Sequence, residues 1–167
     1  VDMESTDDTK KIAKQFNAKI YDHKHLGYVE PARNFALSKA TGEWILLLDA
    51  DEIISAQLFA KLKNLAESGP YDFIRIPRKK IIFDKWIKHT GWWPDYQIRF
   101  FKRGVVEWGD EIHSIPITQG SGFDLEAEEK NALLHHTYQS IDQFIDRLNR
   151  YTTAEAQELI AEGEEFV

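Results

Sequence analysis

The sequence predicts an α/β fold, and three observations support that prediction. Before Pro70, segments typical of strands alternate with segments typical of helices. Residues 44–48 form a continuous apolar run, which is typical of a strand buried on both faces of a parallel sheet. After Pro70 the sequence becomes rich in β-forming residues. The alternation predicts right-handed crossovers and a mostly parallel sheet flanked by helices, with a β-rich second half and a C-terminal helix.

The first half is predicted to begin with a capped helix. Residues 2–9 are dense in capping side chains, and a helix should follow to about residue 16. Residues 18–21 are predicted to form a short strand, and Pro31 at the first turn predicts a helix over 30–40. The apolar run predicts a strand over 44–49, and Ser55 is predicted to cap a helix that ends near residues 68–70.

The second half is predicted to contain mainly strands. The predicted strands are 71–78, 81–88, 96–102 and 133–137, and residues 120–130 are predicted to be a loop. Residues 105–117 carry a polar insert at 109–113. Ser140 is predicted to cap a long final helix, because apolar residues follow it at helical spacing.

Composition restricts the classes of function. The 167 residues fit one domain, and 43% hydrophobic residues exclude a wholly disordered chain. A net charge of −7 argues against general nucleic-acid binding, and the absence of cysteine excludes disulfides and thiolate metal sites. No apolar run has the length of a membrane span and no signal peptide opens the chain, so a cytoplasmic location is expected. Because Val1 resembles the end of a strand, the chain is expected to be a fragment.

Three carboxylates follow the apolar run at the carboxyl end of the predicted strand, where open α/β sheets bind ligands. These residues are Asp49, Asp51 and Glu52. They repel one another unless a cation neutralises them, and Mg²⁺ or Mn²⁺ would bind such oxygen ligands and bridge to substrate phosphates. The alternative is that Asp51 and Glu52 merely open the next helix, where acids complement the helix dipole.

Several short motifs occur in an order that resembles family 2 glycosyltransferases, which have the GT-A fold and use nucleotide-sugars. Each motif is weak alone, and the ordered set is specific. The motifs are Asp2-x-x-Ser5-Thr6-Asp7-x-Thr9, Gly27 with Ala32-Arg33-Asn34, Gly42-Glu43-Trp44, Asp49-Ala50-Asp51-Glu52, Trp93-Pro94-Asp95-Tyr96-Gln97-x-Arg99-x-Phe101, Glu111-Ile112-His113 and His135-x-Thr137-Tyr138.

The later motifs resemble the branch that contains lipopolysaccharide-core β-glucosyltransferases. The resemblance implies an inverting transfer from a UDP-linked sugar, with UDP-glucose as a candidate, to a saccharide or glycolipid in cell-envelope synthesis. It also implies a nucleotide-sugar-binding half at 1–70 and an acceptor half at 71–167, within one glycosyltransferase domain. The family's domain begins with a further strand and helix ahead of Asp2, which again predicts a fragment.

The resemblance assigns five residues to the nucleotide-sugar: Asp2, Ser5, Arg33, Asp49 and Asp51. An acid at a strand end can accept hydrogen bonds from a base or a ribose, and a guanidinium suits phosphate. Other interpretations remain open, because Asp2 and Ser5 can simply cap the first helix. Arg33 can also be an ordinary surface arginine.

The metal, Mg²⁺ or Mn²⁺, is assigned to Asp51 and His135 by the same resemblance. A neutral imidazole is a reasonable ligand for Mn²⁺. The alternative is that His135 is a buried or interface histidine. His136 should point to the opposite face of the strand, so the two histidines cannot share one metal.

Asp110 and Glu111 are the candidates for the general base, with Glu111 preferred, since an inverting transferase needs a carboxylate near the acceptor hydroxyl. The alternative is a charged turn between two strands. His113 is predicted to orient the base or bind the acceptor. Trp93 and Arg99 are predicted to contact the sugar or acceptor.

Basic and aromatic residues cluster around residues 78–88 in an otherwise acidic chain. This patch suits anionic lipid or a phosphorylated glycolipid at the inner face of the membrane, and the alternative is a solvated hairpin. Two rival functions also remain open: a nucleotidyltransferase of similar fold, and a non-catalytic carbohydrate-binding module. The oligomeric state cannot be read from the sequence.

Overall fold

The computed structural model of the chain describes residues 1–26, 29–109, 115–161 and 163. The helices are α1 (Thr9–Gln15), α2 (Glu30–Lys39), α3 (Ala56–Ser68) and α4 (Ile141–Ala161), with a 3-10 helix at Glu129–Asn131. The strands are β1 (Trp44–Leu46), β2 (Glu52–Ile53), β3 (Phe73–Ile82), β4 (Lys85–Trp86), β5 (Asp95–Lys102), β6 (Val106–Glu107), β7 (Ile117–Thr118), β8 (Gly122–Asp124) and β9 (Leu133–Tyr138). The chain forms two compact units, Val1–Gly42 with Val106–Thr118 and Glu43–Val105 with Gln119–Val167.

The first unit contains α1, α2 and the antiparallel pair β6–β7. Asp2 and Asp22 form an isolated parallel bridge, in which the Asp2 N–H donates to the Tyr21 carbonyl at 2.8 Å. Helix α1 therefore connects two parallel segments, as predicted. The predicted strand at 18–21 is reduced to this single bridge.

The second unit is built on a seven-stranded mixed sheet in the order β1-β5-β3-β9-β2, with β4 and β8 also paired to β3. Strand β3 pairs in parallel with β8 and β9, and antiparallel with β4 and β5. Strands β3 to β5 follow one another through short connections, which permit only antiparallel pairing. The predicted α/β class is confirmed, with a sheet of mixed direction.

Strand β3 is continuous from Phe73 to Ile82, where the sequence predicts two separate strands, 71–78 and 81–88. The basic residues Lys79 and Lys80 lie inside the strand, because Lys79 pairs with Glu129 and Lys80 pairs with Asp95 at 3.0 Å. Strand β4 then follows a turn in which Phe83 and Asp84 have positive φ values of 49° and 61°. Ion pairing thus keeps charged residues within one ten-residue strand.

The core of the second unit lies between α3 and the sheet. Leu58 and Leu62, one helical turn apart, are fully buried and pack with Ile74 and Ile76 of β3. Each such side chain stabilises the fold by about 1.5–3 kcal/mol. Ser55 caps α3 as predicted, since its hydroxyl accepts the Leu58 N–H at 3.1 Å.

Strand β1 is shorter than predicted, which decides where the acidic residues lie. It ends at Leu46, and the Leu47 N–H still donates to the Arg99 carbonyl of β5 at 2.8 Å. The chain then turns and re-enters the sheet as β2, which pairs antiparallel with β9. The predicted strand over 44–49 is therefore too long, and Asp49 and Asp51 both lie on the loop between β1 and β2.

Helix α4 begins where the sequence predicts. The Ser140 hydroxyl accepts the Gln143 N–H at 3.1 Å. Four apolar residues at the start of the helix are nevertheless exposed: Ile141, Phe144, Ile145 and Leu148. Within the described ranges, no helix combines the length and the apolar character that crossing a membrane requires.

Candidate active site

The acidic loop, residues 49–52, lies between β1 and β2 in the second unit and includes Glu52, the first residue of β2. Two hydrogen bonds close it: the Glu52 N–H donates to the Asp49 carbonyl at 3.0 Å, and the Asp49 N–H donates to Glu52 Oε2 at 3.2 Å. Glu52 is buried, Asp49 and Asp51 are half-buried, and Ala50 is exposed. The loop therefore has a fixed backbone that presents its two aspartates separately.

Arg99 of β5 holds this loop from inside the protein. Its side chain is almost fully buried, and Nε and Nη2 donate to the two carboxylate oxygens of Glu52, each at 2.9 Å. Nη2 also donates to Asp49 Oδ2. Burial opposes the charge of Arg99, but Asp49 and Glu52 outweigh burial and raise the arginine's pKa above its ordinary value. Arg99 is thus a permanent cation that offsets part of the negative charge of two acids of the loop.

The acceptor contact predicted for Arg99 has no support in this geometry, because the guanidinium is buried and already bonded to two carboxylates. Glu52 is likewise buried, and its carboxylate is bonded to Arg99 and Arg78. The sequence could not distinguish a buried Arg99 from an accessible one. Alternation along β5 assigns its side chain to one face of the strand but does not show what packs against that face.

Arg78 of β3 extends the ion-pair network towards residues 93–95. Its guanidinium donates to Glu52 Oε1 at 3.2 Å and to Asp95 Oδ2 at 2.8 Å. Lys80 reaches the same Asp95 oxygen at 3.0 Å. Burial raises the pKa of Asp95, but Arg78 and Lys80 together outweigh burial and lower it. The acidic loop and the start of β5 are therefore connected by a continuous chain of charged contacts.

Asp51 and His135, the two predicted metal ligands, are brought together by the pairing of β2 with β9. Glu52 lies opposite His135 in that pair, and the His136 N–H donates to the Asp51 carbonyl at 3.1 Å. As a result His135 Nε2 lies 3.1 Å from Asp51 Oδ2. Burial raises the pKa of Asp51, but His135 and Arg147 outweigh burial and lower it, so the carboxylate is ionised.

Arg147 of α4 is a residue of this site that the sequence did not identify. Its Nη2 lies 3.7 Å from Asp51 Oδ2, and its guanidinium carbon lies 5.3 Å from the centre of the Tyr138 ring. Its spacing on the helix predicts only a position near the apolar face, and nothing in the sequence indicates which strand that helix contacts. Asp51 and Arg147 line a cleft of about 250 Å³ together with Ala50, Ile53, His136, Gln139 and Gln143.

The donor set of Asp51 and His135 suits a divalent cation, since a carboxylate and an imidazole are ordinary ligands of Mn²⁺. Among the described residues no group of three or more His, Cys, Asp or Glu side chains is placed to hold a metal ion. A cation here would thus have two protein ligands, which fits Mg²⁺ or Mn²⁺ sites that are completed by substrate phosphates and water. His136 lines the cleft beside Asp51.

Asp2 and Ser5 lie together in the first unit. The Ser5 N–H donates to Asp2 Oδ2 at 3.1 Å, and this hydrogen bonding lowers the pKa of Asp2. Lys10 lies 3.3 Å from the same oxygen. In the described part of the chain, the buried Oδ1 of Asp2 has no hydrogen-bond partner. Asp2 and Ser5 therefore form a turn ahead of α1 and do not cap that helix, whose N-cap residue is Asp8, and one acceptor oxygen of Asp2 is left over.

Helix α2 holds the segment that leads into the predicted general base. Asn34 Nδ2 donates to the Trp108 carbonyl at 2.7 Å, and the Trp108 N–H donates to Asn34 Oδ1 at 3.0 Å. The Arg33 guanidinium lies over the Trp108 ring, 5.4 Å from its centre. Residues 110–114 lie outside the described residues, so the roles predicted for Asp110, Glu111 and His113 stay predictions.

The basic–aromatic patch is a compact group in the second unit. Trp86 and Trp93 meet edge to face at 5.1 Å, and Lys88 lies 4.1 Å from the centre of the Trp86 ring. Lys80 lies 4.8 Å from the centre of the Trp92 ring. Trp93 is half-buried and keeps part of its ring accessible. Its predicted contact with a sugar or acceptor, and the patch's predicted contact with a membrane, stay predictions.

Comparison with known proteins identifies relatives across the whole chain. The family described as "Glycosyl transferase family 2" matches residues 1–130. An uncharacterized glycosyltransferase of Rickettsia typhi is 29% identical over 99% of this chain and 60% of its own length. One of Rickettsia felis is 28% identical over 99% of this chain and 62% of its own length. The chain therefore spans about 60% of the length of these curated relatives.

A shorter match covers 44% of this chain and 27% of an uncharacterized glycosyltransferase of Mycoplasma pneumoniae, at 33% identity. Together these matches support the GT-A-like α/β fold that the sequence motifs imply. They do not separate the lipopolysaccharide-core branch from other members.

Proposed function

The chain belongs to glycosyltransferase family 2, and from that premise we propose that it transfers a sugar from a nucleotide-sugar to the hydroxyl of a saccharide or glycolipid. The observation that supports the proposal is the pair of Asp51 and His135, 3.1 Å apart beside a cleft. Asp51 and His135 are far apart in the sequence, and the pairing of β2 with β9 brings them together.

Asp51 and His135 are the residues that would hold Mg²⁺ or Mn²⁺. When bound, such a cation neutralises the negative charge that develops on the departing nucleoside diphosphate. Asp49 would face the ribose, and the hydrogen bond from Arg99 Nη2 holds its carboxylate in one orientation. The rigid loop thereby provides positioning, which supplies much of the rate enhancement in bimolecular transfers.

The first unit would bind the nucleotide. Asp2 Oδ1, which has no hydrogen-bond partner among the described residues, would accept from a base N–H or ribose hydroxyl, and Arg33 would contribute charge near the diphosphate. Glu111, or Asp110, would accept the proton of the acceptor hydroxyl, so that the sugar is transferred with inversion. Trp93 would stack on the acceptor.

The finer identity of the substrates is also part of the proposal. The motif from Trp93 to Phe101 resembles the lipopolysaccharide-core β-glucosyltransferases, which favours UDP-glucose as donor and a cell-envelope saccharide as acceptor. The half-buried tryptophans beside lysines suit an acceptor that combines sugar rings with negative charge.

Product analysis tests the proposal. The protein is incubated with Mn²⁺, a panel of UDP-sugars and saccharide or glycolipid acceptors, and the released nucleotide is identified. We expect UDP and a glycosylated acceptor. With pyrophosphate added, formation of UTP and a sugar 1-phosphate would instead indicate a nucleotidyltransferase. Donor binding that ignores both Mn²⁺ and Asp51→Asn, without product, would indicate a carbohydrate-binding module.

A further inference from the structure

Arg147 differs from Arg78, Lys80 and Arg99 because, in the part of the chain that the structure describes, it makes no ion pair with a carboxylate shorter than 3.7 Å. Its distance of 3.7 Å to Asp51 Oδ2 is too long for a hydrogen bond. Within the ranges that the structure describes, no other carboxylate forms an ion pair with it. A guanidinium carries five donors in a planar fork. Arg147 therefore has a fixed charge and unused donors at a cleft.

The position of the guanidinium is nevertheless fixed. Its side chain is 25% exposed, and the Tyr138 ring supports it by a cation–π contact. Gln143, one turn earlier on α4, accepts the Gln139 N–H through Oε1 at 2.7 Å and holds the start of the helix against the cleft. An arginine oriented in this way has lost part of its side-chain entropy before any ligand binds.

The chemistry of the cleft points to an anion bound together with a metal ion. Asp51 is the one carboxylate among its lining residues, and the others are a guanidinium, an imidazole, two amides and two apolar residues. A volume of about 250 Å³ lies below the range of roughly 300–1,000 Å³ that holds drug-sized ligands, so it suits a fragment such as a diphosphate.

Charge balance also indicates that Arg147 contacts an anion that is bound together with a metal ion. A divalent cation on Asp51 and a neutral His135 leave one positive charge, and the diphosphate of a nucleotide-sugar carries two negative charges. One further cation is needed for neutrality, and Arg147 is positioned to supply it. Metal binding to Asp51 would also replace the weak contact that now holds the guanidinium near that carboxylate.

We propose that Arg147 binds the diphosphate of the donor and of the departing nucleoside diphosphate, beside the metal held by Asp51 and His135. The inference rests on the proposed function and adds to it a residue outside the recognised motifs. Before metal binds, Arg147 neutralises Asp51. Once metal is bound, its planar fork is available for bidentate contact with phosphate oxygens.

Calorimetry with three variants tests this proposal. UDP, GDP and dTDP serve as probes in saturating Mn²⁺, and Mn²⁺ alone is titrated separately. Arg147→Ala should weaken the tightest-binding nucleotide at least about tenfold, as expected for the loss of a charged hydrogen bond. Arg147→Lys should recover part of the loss. Arg150→Ala, on the same helix beside Tyr151, is the matched control and should change affinity less than twofold.

The titration of Mn²⁺ alone separates a binding role from a structural one. Arg147→Ala removes a competing cation from Asp51, so Mn²⁺ should bind to this variant at least as tightly as to the wild type. Wild-type nucleotide affinity in Arg147→Ala, or an equal loss of Mn²⁺ and nucleotide, would overturn the inference alone. Failure of the wild type to bind any of the three nucleotides with Mn²⁺ would overturn the proposed function as well.

Discussion

Arg99 illustrates at the residue scale how a buried charge fixes a functional loop. It is surrounded by the core of the second unit, yet it bonds to both Asp49 and Glu52. A buried pair of this kind adds little net stability compared with apolar residues, but removal of one partner leaves an uncompensated charge. The network therefore matters chiefly for the conformation of the acidic loop.

Replacing Arg99 by methionine should destabilise the protein by about 3–5 kcal/mol, because Glu52 would remain buried without its main partner. Urea unfolding measures this change. The double variant Arg99→Met/Glu52→Leu should regain much of the loss in stability. A single variant as stable as wild type would show that the network is weaker than its geometry indicates.

Asp95 is expected to make the free energy of unfolding depend on pH. Its pKa is lowered in the folded protein, since Arg78 and Lys80 outweigh burial. The stabilisation is therefore complete above the ordinary value of about 3.9 and is lost as the pH falls through the folded pKa. The free energy of unfolding, measured between pH 6 and pH 3, should fall more steeply in the wild type than in Asp95→Asn. Equal slopes would contradict the assignment.

Glu111 is expected to act as the general base. Glu111→Gln should lower kcat by about 10²–10⁴-fold while leaving donor affinity unchanged, because only proton transfer is lost. Asp110→Asn should have a smaller effect, and the exposed Glu107→Gln serves as a neighbouring control. Steady-state kinetics and calorimetry separate the two quantities. A larger loss of kcat in Asp110→Asn than in Glu111→Gln would indicate that Asp110 is the general base.

At the scale of elements, local signals predicted well what local forces determine. Helix α2 begins at Glu30 before Pro31, α3 follows the Ser55 cap, and β9 covers the predicted strand. Each depends on residues within one or two turns of itself. The sequence also predicted Asp51 and His135 as partners, though only through resemblance to a family.

What the sequence could not predict are features determined by distant residues. The apolar run after Trp44 leaves the sheet at Leu46, although Leu47 and Leu48 are equally apolar. Arg99 is buried because Glu52, 47 positions away, is buried with it. Arg147 approaches Asp51 only after β9 and α4 have packed. Hydrophobic pattern and propensity contain no information on such pairings.

The capping of α3 gives a prediction at this scale. Ser55→Ala should lower the free energy of unfolding by about 1 kcal/mol, since the Leu58 N–H loses its acceptor at the end of a core helix. Ser68→Ala, at the other end of α3, is the control, because its exposed hydroxyl only bonds back to the Asn64 carbonyl. Equal losses of stability in both variants would argue against a specific cap.

At the scale of the whole molecule, both units combine segments that are distant in sequence. The first unit takes residues 106–118 from the middle of the chain, and Asn34 bonds to Trp108 across 74 positions. The second unit contains the acidic loop, His135 and Arg147. Among the residues assigned to the nucleotide-sugar, Asp2, Ser5 and Arg33 belong to the first unit, whereas Asp49 and Asp51 belong to the second.

The central claim is that Asp51 and His135 hold a divalent cation. Its most direct test is calorimetric titration of Mn²⁺ into the wild type and Asp51→Asn, with Asp84→Asn as a control because Asp84 lies on an exposed turn that asparagine accommodates. The account predicts one site in the wild type and the control, and at least tenfold weaker binding in Asp51→Asn, as expected when a charged ligand is lost. Equal Mn²⁺ affinity in all three proteins would contradict it.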